Sequence, residues 1–335
     1  MNSADRGLLY SLVRSFFALL AISTSITSCN FFKNTQSPLI PVTVQLAWAH
    51  QAQFAGLYAA DQKGYYAEEG LIVTFIQGGP GIDKISPVLD GSAQFSITSP
   101  DELILARASG KPVKAVATVF RRSPVIFISL KEKGITRPQD FVGKTIRAPS
   151  NILPTLRAMM AKVNVSPDQY STIDIPSDVA MFKSGEVPIW GVFVNIFGVS
   201  VIQEGYEINI IYPDDYGIHF SSDTIFTTDK LISSDPDLVL RFLRASLKGW
   251  SFAVENPGDI PAIVQVFAPD SDLKIEHARM NTTLPLVNTG DDHIGWMKPE
   301  TWAITEETLR KYDVLSEPVD IISVYTMHFL EEIYK

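Results

Sequence analysis

The chain has 335 residues and a net charge of −9, with no basic cluster denser than Arg121-Arg122, so nothing in it would displace counterions from a phosphate backbone and a nucleic-acid partner is excluded as a class. Hydrophobic residues are 46% and charged residues 19%, a globular rather than disordered profile. The length exceeds what one core usually organises, which predicts two domains.

Taken in chain order, Arg6 and Arg14 come first, then an apolar run over 15–26 that is too short to span a bilayer. Small residues follow and lead into Cys29, the only cysteine. This resembles a bacterial lipobox. It predicts a lipoprotein-type signal peptide over 1–28, cleavage before Cys29 and a lipid on its sulfur. An extracytoplasmic, membrane-anchored location and a tether over 29–40 follow. An internal disulfide is excluded.

From residue 42 onward, short apolar runs alternate with amphipathic ones, the pattern of an α/β protein with largely parallel sheets. Strands are predicted over 42–46, 71–76, 93–97, 113–118 and 125–129, with helices over 56–63, 82–90 and 99–109. A second unit opens near Gly134, with strands over 145–148, 173–175, 189–194 and 208–212 and a helix over 152–162. After a strand over 224–228 helices dominate, led by a long amphipathic one over 235–255 that stops at Asn256-Pro257-Gly258. The chain is thus expected to leave one lobe, build another and return. The expected lobes are 41–128 with 229–335, and 129–228, crossing near 120–132 and 222–232.

Such a layout places a ligand site between lobes, at the C-terminal edges of the sheets. Trp48 leaves the first strand at that edge, and Phe54 and Tyr58 follow four residues apart, on one helical face. Flat rings stack on such surfaces, and Gln51 and Gln53 offer donors and acceptors to ring heteroatoms. The Gly78-Gly79-Pro80-Gly81 loop brings free N–H groups, with Gly79 the candidate contact, before a helix. Ser99, at the next strand-to-helix junction, either caps its helix or faces the cleft. Ser150 and Asn151 occupy the equivalent junction in the second unit.

Several segments together carry a family resemblance: Trp48, Gln51-Ala-Gln-Phe-Ala-Gly-Leu-Tyr58, Gly64-Tyr-Tyr, Asp90-Gly-Ser-Ala-Gln-Phe95, Phe141-Val-Gly-Lys-Thr145 and Pro213-Asp-Asp-Tyr-Gly217. In this order they resemble the ABC-importer solute-binding proteins that group thiamine-pyrimidine-precursor, riboflavin, alkanesulfonate, taurine and nitrate binders. The resemblance implies a type II periplasmic-binding-protein fold, two lobes with a hinge and an inter-lobe cleft. It also implies capture of a small aromatic heterocycle, permease and ATPase partners, and no cofactor. The recurring block adds Asp215 and Tyr216 as ligand contacts, and the second-lobe motif adds Asn195. That motif departs here, because Ile196 and Phe197 stand where many relatives carry Glu-Pro; a relative's pyrimidine anchor would be missing and a larger ring remains in play.

Two alternatives stay open. A sulfonate, taurine or nitrate binder needs a cation at the cleft, for which Arg121 and Arg147 are the candidates. Eukaryotic members of the wider family include a pyrimidine synthase, but Phe54 replaces the histidine it uses and its Cys-rich segment is absent. The five histidines are scattered, without metal-ligand spacing, and no nucleophile elbow is present. The expected class is a binding protein, not an enzyme.

Overall fold

The structure, a computed structural model, describes residues 38–335 except Pro80 and Asp291. The expected signal peptide, Cys29 and all but the end of the tether lie outside the described residues. The strands are β1 (Ile40–Gln45), β2 (Leu71–Ile76), β3 (Phe95–Thr98), β4 (Val113–Thr118), β5 (Val125–Leu130), β6 (Thr145–Arg147), β7 (Ser171–Ile173), β8 (Ile189–Phe193), β9 (Ile208–Ile211) and β10 (Thr224–Thr228). The helices of eight residues or more are α1 (Ala55–Gln62), α2 (Pro100–Ala108), α3 (Leu153–Lys162), α4 (Pro236–Glu255), α5 (Ile260–Phe267), α6 (Leu273–Val287) and α7 (Pro299–Lys311).

The strands sort into two five-stranded sheets, ordered β2-β1-β3-β10-β4 and β7-β6-β8-β5-β9. In the first, β1 runs parallel to β2 and β3, as crossover connections require. In the second, β6 runs parallel to β7 and β8. Each sheet also holds one strand antiparallel to both neighbours: β10 in the first and β5 in the second. These are the strands the chain forms just after passing from one sheet to the other.

The structure therefore moves the two crossings. Residues 125–128 were expected in the first lobe and 224–228 in the second; the sheets exchange them. The chain crosses over 119–124 and again after β9, ahead of β10. Both strands are almost wholly buried, and a continuous apolar run carries no mark of which sheet receives it. The crossing segments are hydrogen-bonded side by side: the Val119 amide donates to the Asp223 carbonyl and the Ser222 amide to the Phe120 carbonyl, each at 2.8 Å.

The edge strand β4 is covered by returning chain, through bridges from Ala115 to Tyr325 and from Thr118 to Gly295, which removes an exposed sheet edge. On the first sheet lies α4, capped by the Asp235 side chain, which accepts from the Leu238 amide at 3.1 Å. Its buried positions, among them Leu238, Phe242 and Trp250, recur at helical spacing, and Phe242 stacks on Phe95 of β3 with ring centres 3.9 Å apart. A second, smaller core around Phe127, Phe141, Ile146 and Met159 holds the second sheet against α3. No helix among the described residues is long and apolar enough to cross a membrane.

Candidate functional site

A cleft of about 690 Å³ lies between the C-terminal edges of the two sheets, within the range of small-molecule sites. Its first wall begins where β1 ends. Trp48 and Ala47 line it, and the Trp48 carbonyl accepts from the Gly78 amide at 3.0 Å. That approach needs a glycine: a Cβ at 78 would stand 2.2 Å from the Leu46 carbonyl oxygen and 2.8 Å from the Trp48 amide nitrogen. Gly79, Thr98 and Ser99 continue the wall. Ser99 holds the N-cap position of α2 with no side-chain cap bond.

Behind Trp48 the chain makes a short 3-10 turn, Ala52–Phe54, fixed from outside by Glu276 of α6, whose Oε2 accepts from the Ala52 amide at 2.7 Å. The turn aims Gln53 at Asp223. Gln51 Nε2 donates to Gln53 Oε1 at 2.8 Å, and Gln53 Nε2 donates to Asp223 Oδ2 at 2.7 Å. A carboxylate only accepts, so the polarity of this relay is set from its Asp end. Asp223 is 7% exposed, and burial holds its carboxyl at about 6, above the usual 3.8, against the opposing hydrogen bond from Gln53. Half-buried Asp101 is also pushed up by burial. Nearby, Lys84 pairs with Glu102 at 2.8 Å.

The second wall is of opposite character. Phe193, Ile196 and Phe197 line it, the last two from a five-residue π-turn, Val194–Gly198, that follows β8. Such turns are rare and concentrate at functional sites. Phe197 stacks on Trp190 at 5.5 Å and 9°. Arg147, at the end of β6, is 7% exposed; its Nε donates to the Ile175 carbonyl at 2.8 Å and its Nη1 to the Gly191 carbonyl at 2.7 Å. Burial lowers its pKa and the charge of Asp174 opposes this. Ser150 and Asn151 precede α3 on the same wall.

Of the residues read from the sequence, the cleft brings together Trp48, Gln53, Gly79, Ser99, Arg147, Ser150 and Asn151. It does not gather Gln51, Phe54, Tyr58, Arg121, Asn195, Asp215 or Tyr216. Phe54 and Tyr58 are fully buried: Tyr58 stacks on Phe267 of α5 at 4.3 Å, and Phe54 meets its edge at 6.2 Å. Their shared helical face packs against α5 and the sheet, and the Tyr58 hydroxyl is taken by His50 Nδ1 at 2.7 Å. Asn195 points away from the cleft into the protein, its Nδ2 donating to Thr283 Oγ1 of α6 at 3.4 Å; the next two side chains of the π-turn line the cleft instead. Asp215 is exposed on a 3-10 turn and Tyr216 packs on the second core, neither lining the cleft. In that block the bonded acid is Asp214, held by Arg122 at 2.9 Å and His219 at 2.7 Å. Reading the sequence missed Asp223 and the apolar lining from Phe193 to Phe197. One signal for Asp223 was available: a lone acid between Ser222 and the run Thr-Ile-Phe-Thr-Thr of a central strand.

A profile of the family described as NMT1/THI5 like matches residues 51–260, more than half of the chain. The chain belongs to this family. It is similar to the riboflavin-binding protein RibY of Chloroflexus aurantiacus, at 27% identity over 89% of this chain and 88% of that protein. It is similar to the formylaminopyrimidine-binding protein of Halalkalibacterium halodurans, at 26% over 90% and 94%. A third relative, at 24% over 87% and 92%, is the 4-amino-5-hydroxymethyl-2-methylpyrimidine phosphate synthase of Legionella pneumophila. Among solved structures, the periplasmic aliphatic sulphonate binding protein SsuA of Escherichia coli superposes with a TM-score of 0.68 at 13% identity, over 84% of this chain and 91% of that one. The fold is that of the periplasmic binding proteins. Ile196 and Phe197, which stand where the resemblance implies Glu-Pro, line the cleft, so the second wall is apolar at that point.

Proposed function

We propose that this protein is the extracytoplasmic solute-binding component of an ABC importer, and that it holds a small aromatic heterocycle between its two sheets. One observation carries this reading: a cleft of about 690 Å³ with Trp48 on one wall and the Phe193–Ile196–Phe197 surface on the other. Two relatives named for binding riboflavin and formylaminopyrimidine support the same ligand class. The open form exposes both walls, the solute bridges them, and its preference for the closed form shifts the population. The closed form then docks on a permease whose ATPase drives release. A lipid on Cys29 keeps the protein at the membrane surface. The solute leaves chemically unchanged; a turnover assay on any solute that binds separates this from the synthase activity for which one relative is named.

A second reading, an alkanesulfonate or other small anion, is favoured by Arg147 and by the Ser150 and Asn151 positions ahead of α3, where helix N-termini attract anions. The two readings separate in a thermal-shift panel of riboflavin, 4-amino-5-hydroxymethyl-2-methylpyrimidine and taurine. A heterocycle raises the midpoint and Trp48→Ala abolishes that rise while leaving the ligand-free midpoint within a few degrees. Stabilisation by taurine alone overturns the heterocycle reading.

A further inference from the structure

We propose that Asp223 is the polar anchor that selects the solute: the carboxylate oxygen not taken by Gln53 receives a hydrogen-bond donor, an imide or amino N–H on the edge of the ring. This deepens the heterocycle reading and rests on it. The argument starts from satisfaction. A carboxylate has room for about four hydrogen bonds. Asp223 is nine-tenths buried and lines the cleft. Its Oδ2 is held firmly by Gln53, whereas the side-chain contact of Oδ1 is the Ser222 hydroxyl at 3.4 Å, beyond a good O–H···O bond, and its own backbone amide also favours the charge. A buried acceptor left this open is expensive unless something completes it. Asp223 and Trp48 line the same cavity, so a ring lying on the indole would present its edge to the carboxylate.

Two further features fit an anchor better than a structural carboxylate. The relay from Gln51 through Gln53 fixes the orientation of the group before the solute arrives, which is what pre-organised recognition needs. The Asp223 carbonyl also accepts from the Val119 amide, so the anchor sits on the paired crossing segments that join the sheets. The titratable groups on the elements around it are Lys84, Asp101 and Glu102 on the cleft wall, and on the first crossing Arg121 and Arg122, which pair with Asp292 and Asp214. Burial raises the Asp223 carboxyl to about 6, so the acceptor form is lost on mild acidification, and binding weakens as pH falls through that value.

Asp223→Asn is the informative variant. Its amide oxygen can still accept from Gln53, which turns its NH₂ toward the cleft and sets donor against donor. Titrations would use riboflavin, which carries an imide N–H, its N3-methyl counterpart, and ethanesulfonate, which has no donor. Expected for the wild-type protein is binding of riboflavin, at least roughly tenfold weaker binding of the N-methyl compound, and a loss of about tenfold between pH 7.5 and pH 5. Asp223→Asn should weaken riboflavin by at least about tenfold and remove the pH dependence. Equal affinity of wild type for riboflavin and the N-methyl compound overturns the anchor and leaves the heterocycle reading standing; this arm needs no variant to fold. Unchanged affinity in a folded Asp223→Asn does the same. Binding of ethanesulfonate with no binding of either flavin overturns both.

Discussion

At the scale of single residues, the cleft contains a group that opposes folding. The Asp223 carboxyl stands at about 6 in the folded chain against its ordinary value of 3.8, so folding disfavours its ionised form. The contribution of this group to stability is fully present below the unfolded value and is lost as pH rises through about 6. At pH 7.5 the penalty is on the order of 3 kcal/mol from the two values, and the Gln53 bond is already included in it. Asp223→Asn is therefore predicted to stabilise the ligand-free protein at pH 7.5 by about 1–3 kcal/mol and to have little effect at pH 4. Urea unfolding at the two pH values reads this directly; destabilisation at pH 7.5 would show that the carboxylate is a structural group. A residue that weakens the empty protein yet sits at the cleft fits function bought with stability. The same scale shows why only some of the candidate residues fall on the cleft. Trp48 and Gln53 were fixed by the end of a strand. Phe54 and Tyr58 were not, because four-residue spacing identifies a shared face without saying what that face meets. Asp215 and Asp223 are both acids beside a strand, and only the crossing geometry separates an exposed turn from a buried cleft wall.

At the scale of elements, the first wall depends on how closely α4 passes over α1. The helix that follows Trp48 is pressed onto the sheet by α4, and both helices thin to glycine where they meet. A Cβ on Gly249 would stand 2.1 Å from the Gly56 carbonyl oxygen and 2.7 Å from Ala60 Cβ. Replacing glycine by alanine in a helix interior normally gains up to about 1 kcal/mol, but overpacking against backbone, which cannot rotate away, costs typically 1–3 kcal/mol and here at the upper end. The clash wins: Gly249→Ala should lose about 2 kcal/mol, read as a lower denaturation midpoint with an unchanged slope. A gain in midpoint would contradict the packing described. The long helix itself was plain in the sequence, from Asp235 as its cap to Asn256-Pro257 as its stop. The π-turn after β8 was not, since its residues, Val-Asn-Ile-Phe-Gly, read equally well as the end of a strand or the start of a helix.

At the scale of the whole molecule, two sheets, two crossings and a cleft were all expected from the alternation of strands and helices and from the family resemblance. What the pattern left open was which lobe receives β5 and β10. Each is a buried run with apolar or small neutral residues on both faces, and periodicity is silent about partner strands. Their exchange brings Asp223 to the first wall of the cleft, on crossing segments that are hydrogen-bonded side by side. The account's central claim is that one flat guest is gripped by both sheets at once. Amide hydrogen exchange with and without riboflavin, or with the aminopyrimidine if that is the compound that binds, tests it most directly. The account predicts slowed exchange in both 47–54 and 193–198 at the same ligand occupancy. Protection confined to one of those segments, with the other unchanged at saturation, would contradict it.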